Sequence, residues 1–190
     1  ERSMVEQELT HLLQQRLRFS KRTSPAQAAV LIAITNEHHP KVLLTRRSTQ
    51  LSNHAGEVSF PGGKRDAGDT SNIVVALREA QEETALNPFD VELIGDLPMQ
   101  KARNGMLVKP VVGLIPPEVN LIAQPSEIDR IFFVPPIVKM WEKRTLQNFS
   151  KEFLQLLING EAHYKQLPFV ALKRNQLARH QHSSISWQQA

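Results

Sequence analysis

The sequence contains no cysteine. That excludes disulfides, zinc thiolate sites and cysteine nucleophiles, and it is compatible with a reducing compartment. No apolar run approaches the roughly 20 residues that a membrane-spanning helix needs. The opening residues, Glu1-Arg2-Ser3-Met4, lack the apolar segment of a secretory signal. A cytoplasmic location is therefore expected, with Met4 as a candidate native start. No internal repeat or low-complexity linker divides the chain. Excess charge is also small, with a formal net charge of +4 over 190 residues. The basic clusters are short: Arg46-Arg47, Lys64-Arg65 and Lys173-Arg174. No aromatic-rich RNA-binding motif accompanies them. Nucleic acid is thus not the expected partner, and a basic site for a small polyanion explains the same charge.

What is present reads as an ordinary globular protein, with 41% hydrophobic and 22% charged residues. A chain of this length buries a core without covalent staples. Val5, Leu9, Leu12, Leu13 and Leu17 recur at helical spacing, which predicts an amphipathic helix over 4–18 packed on the domain. The β-branched run AAVLIAIT (28–35) predicts a buried strand, and KVLLTR (41–46) its hairpin partner. GEVSF (56–60) predicts a short strand that runs into the tight loop Pro61-Gly62-Gly63. Further strands are expected at 91–97, 107–115 and 130–135, and Pro110 argues for an edge or a bulge in the second of these. Helices are expected at 71–84, 136–144 and 151–160, the last stopped by Gly160. Helices mixed with short strands point to an α/β or α+β sandwich.

The densest chemistry lies in SFPGGKRDAGDTSNIVVALREAQEETAL (59–86). Glu79, Glu82 and Glu83 stand at i, i+3 and i+4, so a helix places them on one face. Ile73, Leu77 and Ala80 form an apolar stripe beside them that can bury the helix. Like charges at this spacing oppose the helix by about 0.2–0.5 kcal/mol per pair. A divalent cation converts that repulsion into coordination, and Mg²⁺ prefers carboxylate oxygens. Arg78 can pair with Glu82 one turn on and orient it. Taken alone, the three glutamates read first as solvated surface charges. The Gly62-Gly63 loop just before the helix tips the balance, because glycine backbone can offer amides to phosphate or a carbonyl to a metal.

This segment resembles the Nudix box, G-x5-E-x7-R-E-U-x-E-E-x-G-U, where U is aliphatic. Gly63 matches its opening glycine, and the run from Arg78 to Glu83 matches its core. Asp69 fills the first acidic position, eight residues separate it from Arg78, and Ala85 replaces the closing glycine. Upstream, LLTRRSTQLSNHAGEVSFPGG (43–63) resembles the signature of the Nudix coenzyme A pyrophosphatases, L-L-T-x-R-[SA]-x3-R-x3-G-x-V-x-F-P-G-G. Ser52 stands where that signature has arginine.

The resemblance implies a Nudix α/β/α sandwich with a mixed central sheet. It implies an N-terminal helix over 1–24, a Nudix domain over 25–170 and an atypical, loosely ordered tail over 171–190. The activity it implies is hydrolysis of the diphosphate of coenzyme A or its thioesters, giving 4′-phosphopantetheine and 3′,5′-ADP, with Mg²⁺ or Mn²⁺ as cofactor. ADP-ribose, NADH or nucleoside triphosphates are alternative substrates. A non-catalytic nucleotide- or protein-binding module is the alternative of another class. Glu79 and Glu83 map onto the principal metal ligands, Glu82 onto a further or bridging ligand, and the Gly63 carbonyl onto a minor one. Glu79 or Glu82 is expected to accept the proton of the attacking water. Glu127 is a candidate acid from outside the box. Arg47, Arg46, Lys64 and Arg65 are the candidate phosphate-binding cations, each weighed against a surface role. The histidines show no metal-ligand spacing, and Trp141 reads as a packing residue. No membrane partner is expected, and a homodimer is compatible with this reading.

Overall fold

The computed structural model describes residues 4–134, 155 and 157–163. Helix α1 spans Met4–Arg16 and α2 spans Asn72–Thr84. The strands are β1 (Ala28–Thr35), β2 (Val42–Arg47), β3 (Glu57–Ser59), β4 (Gly62–Lys64), β5 (Glu92–Asp96), β6 (Gln100–Lys101), β7 (Leu107–Ile115), β8 (Ile128–Val134) and β9 (Ala162–His163). They form one mixed sheet in the order β5-β7-β1-β2-β3-β9. Off that path, β4 pairs with β1, β6 with β7, and β8 with β2.

Strand β1 is buried along its whole length, and its alternation builds both halves of the core. Ala28, Val30, Ile32 and Ile34 join Leu9, Leu13 and Leu17 from the α1 side in one apolar cluster. Ala29, Leu31 and Ala33 join Val75, Ala76 and Ala80 of α2 in the other. Helices thus cover both faces of the sheet, the α/β/α arrangement expected. The deeply buried stripe of α2 is Val75, Ala76 and Ala80, while Ile73 and Leu77 flank it half-buried.

Pro110 does not mark an edge. Strand β7 is interior, parallel to β1 from Ala28↔Val108 to Thr35↔Ile115, with β5 and β6 on its other side. The Pro110 carbonyl accepts from the Leu97 amide, so the missing N–H falls on the side where the neighbouring strand changes from β6 to β5. Proline is tolerated there because no ladder bond is lost. The helix expected at 136–144 and the tail at 171–190 lie outside the described residues. Within 151–160, residues 155 and 157–159 are helical, and Gly160 turns away at φ 72°. Among the described residues no helix is long and apolar enough to cross a membrane.

The sheet has a built-in gap. Strands β1 and β2 pair only at Ile34↔Val42 and then diverge. Strand β3 continues along β2 through Thr45↔Ser59 and Arg46↔Val58, and β4 continues along β1 through Ala28↔Lys64 to Val30↔Gly62. The turn between β3 and β4 closes the gap, with the Leu31 amide donating to the Pro61 carbonyl.

Candidate active site

A cleft of about 570 Å³ opens where β1 and β2 diverge. Its walls include Ala28, Val30, Phe60, Gly62, Gly63, Lys64, Glu83 and Arg47. Backbone packing requires glycine at 62, and the Glu79 carboxylate occupies the space of a side chain at 63. A Cβ on Gly62 would sit 2.4 Å from the Ala29 carbonyl oxygen, and one on Gly63 would sit 2.5 Å from the Glu79 carboxyl carbon. Any side chain at Gly63 would therefore push the Glu79 carboxylate from its place.

Helix α2 is anchored at both ends. At its start, the Val74 amide donates to Ser71 Oγ, and Asn72 accepts the Ala26 amide at 2.9 Å. Arg65 completes this anchor. Its Nε donates to the Ala26 carbonyl and its Nη1 to the Asp69 carbonyl, while Nη2 reaches Asn72. At the other end, Ala85 adopts the left-handed conformation at φ 59° and caps Gln81. The Ile122 and Gln124 amides then donate to the Thr84 and Glu83 carbonyls. That docking brings the β7–β8 loop, and with it Glu127, to the carboxylates of the last turn.

The acidic groups around this helix fall into two sets that share Glu79. Arg78 holds the first. Its Nε and Nη2 grip both oxygens of Asp69 at 2.9 and 2.8 Å, and Nη2 also donates to the Lys64 carbonyl. Its Nη1 reaches Glu79 and Glu82, each at 3.1 Å. The Arg78 hydrogen bonds hold the Asp69 carboxyl at a pKa of about 2, and Asp69 in turn holds the Arg78 guanidinium firmly charged. Glu82 leans on Arg78 with its side chain 52% exposed.

The second set is under-compensated. Burial first, then the Glu79 and Glu127 charges, push the Glu83 carboxyl well above the usual carboxylate range. The Gly62 amide and Arg47 offset this only in part. Glu79 is raised too, by burial first and then by Glu82 and Glu127, against the opposing pull of Arg78. Buried carboxylates in mutual repulsion are costly unless a cation joins them. Hard oxygen donors of this kind suit Mg²⁺ or Mn²⁺. Among the described residues no three acidic or histidine side chains are gathered so as to hold a metal ion by themselves. Glu79 and Glu83 would supply only part of a small divalent ion's shell, the rest coming from water and phosphate oxygens.

The expected cations divide in the same way. Arg47 lines the cleft and feels the Glu83 charge, and Lys64 lines it beside Gly63. Arg46 does not line it. A register shift between Arg46 and Arg47 separates the two, and Arg46 makes a two-pronged ion pair with Asp129 at 2.7 and 2.9 Å. Arg65 is committed to backbone carbonyls at the start of α2, outside the cleft. Sequence reasoning missed His54, Glu57, Arg103, Asn159 and Glu161, all of which line the cleft. For His54 and Glu57 the signal was their place inside the 43–63 segment. For the others there was none, because they arrive from distant loops.

A sequence model of the NUDIX domain matches residues 25–157, and the chain belongs to the Nudix family. It is 50% identical over 109 residues to NudL of Citrobacter koseri and to NudL of Escherichia coli strain K12, each named an uncharacterised Nudix hydrolase. Each match covers 57% of this chain and only 57% of the relative. Among solved structures it resembles a C. elegans Ap4A hydrolase binary complex, with 16% identity and a TM-score of 0.49 over 56% of this chain and 78% of that one.

Proposed function

We propose that the chain hydrolyses the diphosphate of coenzyme A or its thioesters, releasing 4′-phosphopantetheine or its acyl form and 3′,5′-ADP. One observation carries the reading. Arg47, the Gly62-Gly63 start of β4 and Glu83 line a single cleft, with the under-compensated Glu79 and Glu127 carboxylates against Glu83. Glu79 and Glu83 would hold Mg²⁺ or Mn²⁺, with Glu82 and the Gly63 carbonyl as further donors. The ion would supply charge neutralisation to the diphosphate.

The chain's own groups do the rest. Arg47 and Lys64 bind phosphate oxygens, and the pair orients the anhydride for in-line attack. Water attacks one phosphorus, the bridging P–O bond breaks, and Glu79 takes the proton. Arg78 and Asp69 hold the helix register so that Glu79 faces Gly63. Ser52 favours a second reading. It removes the cation that the coenzyme A signature carries, which leaves ADP-ribose or NADH as competing substrates.

Mass analysis of the products formed from coenzyme A in ¹⁸O-labelled water tests the proposal, alongside ADP-ribose and NADH. Label in one of two phosphate products, with the highest kcat/KM for coenzyme A, is the expected result. A higher kcat/KM for ADP-ribose overturns the substrate. No product from any diphosphate leaves a binding module instead.

A further inference from the structure

Two residues other than glycine have positive φ among the described ones, Ala85 and His54. Ala85 caps a helix. His54, at φ 55°, caps nothing. Left-handed backbone costs an ordinary L-residue about 1–2 kcal/mol, so the surrounding turn must impose it. That turn is well built. The Gly56 amide donates to the Arg47 carbonyl at 3.0 Å, and Arg47 Nε donates to the Asn53 carbonyl at 2.8 Å. The Glu57 amide donates to the His54 carbonyl at 3.2 Å. Arg47 thus folds the β2–β3 loop back on itself and fixes the residue next to His54.

The side chain lies against an acid as well. Nδ1 of His54 lies 2.8 Å from Oε2 of Glu57. Oε2 makes no hydrogen bond, so the contact is one of proximity, with Nε2 on the far side of the ring. Glu57 is the first residue of β3, paired across to His163 of β9, so the carboxylate sits on a strand and not on a mobile turn. The ring is 58% exposed and lines the same cleft as Arg47, Lys64 and Glu83. A solvated turn histidine would explain the exposure and the left-handed backbone, which histidine adopts more readily than most residues. It would not explain the adjacent carboxylate and the position in the cleft together.

We propose that His54, held by Glu57, contacts the substrate directly, its Nε2 engaging a phosphate oxygen beside Arg47. This rests on the reading of the cleft as a nucleoside-diphosphate site. Glu57 is the positioning residue of the pair. Ser52, where the signature has arginine, is exposed and outside the cleft wall, so the ring adds a phosphate-facing nitrogen that the sequence pattern does not announce.

The test uses the full chain with Mg²⁺ and four proteins: wild type, His54→Asn, His54→Arg and Glu57→Gln. Asparagine tolerates left-handed backbone, so His54→Asn removes the ring and leaves the turn intact. KM for coenzyme A is expected to rise about 10-fold in His54→Asn, the usual loss for one charge-assisted hydrogen bond, with kcat changed less than about threefold. Glu57→Gln raises KM by less, and His54→Arg, which needs no orienting partner, recovers most of the loss. An unchanged KM in His54→Asn, or a loss confined to kcat, overturns the proposal. Calorimetric titration with ADP separates this failure from failure of the substrate reading. If wild type does not turn over coenzyme A but binds ADP about 10-fold more tightly than His54→Asn, the contact stands and the substrate falls. Equal ADP affinity for the two proteins overturns the contact whatever the turnover.

Discussion

Two walls of one helix show opposite electrostatic states. On the Asp69 side of α2, Arg78 satisfies both oxygens of a carboxylate whose pKa falls to about 2. On the Glu83 side, a buried carboxylate faces Glu79 and Glu127 and is raised well above the ordinary range. The residues are drawn from the same few turns, so local propensity does not separate them. The difference is whether the fold supplies the counter-charge. Where it does, the carboxylate is scaffold. Where it does not, the wall is left short of positive charge, which is the state a ligand-supplied cation would relieve.

The sharpest way to break this contrast is to neutralise each wall in turn. Glu83→Gln should lower turnover by about 10²–10³-fold, the range for removing one preorganised electrostatic partner. Because burial raises Glu83, its ionised form opposes folding without metal. The same variant should therefore unfold at a higher temperature than wild type in chelator, as read by scanning calorimetry. Arg78→Met should do the reverse to stability. Losing its charge-assisted hydrogen bonds to Asp69 and its neighbours should lower the midpoint of a denaturant titration relative to wild type.

The pH dependence should divide along the same line. Asp69 is depressed when folded, so its stabilisation is complete above its ordinary pKa of 3.8 and disappears as pH falls towards 2. Glu79 and Glu83 are raised, so they favour the folded state below the ordinary carboxylate pKa of 4.5 and lose that advantage as pH rises through their folded values. Metal-free protein should gain stability on mild acidification, and Asp69→Asn should lack the steep loss at lower pH. A smaller effect concerns the helix end under Glu83. Ala85 holds φ 59°, so Ala85→Gly should stabilise by about 1 kcal/mol with turnover unchanged. A fall in turnover would mean that the strained cap is part of the reactive wall.

Much of this was legible in the sequence, for identifiable reasons. The run 28–35 reads as a buried strand because both faces are apolar, and the two core clusters take alternate residues from it. Glu79 and Glu83 come together because helical spacing is local and survives any packing. The readings that failed depended on distant partners. Arg46 and Arg47 are neighbours in sequence, but a register shift and Asp129, 83 residues on, send one away from the cleft. Arg65 is absorbed by carbonyls of the linker before β1, which no local pattern announces. Glu82, by contrast, pairs with Arg78 one turn back, as the helical spacing predicts. Pro110 sits in an interior strand because its missing N–H meets a break between two short neighbours.

The most direct measurement is thermal unfolding of wild type and Glu83→Gln at neutral pH with increasing Mn²⁺. If the under-compensated wall is where a divalent ion settles, wild type rises in Tm with Mn²⁺ while the variant stays nearly flat, and their order in chelator is inverted at saturation. Equal shifts in the two proteins, or none in wild type, would contradict the account.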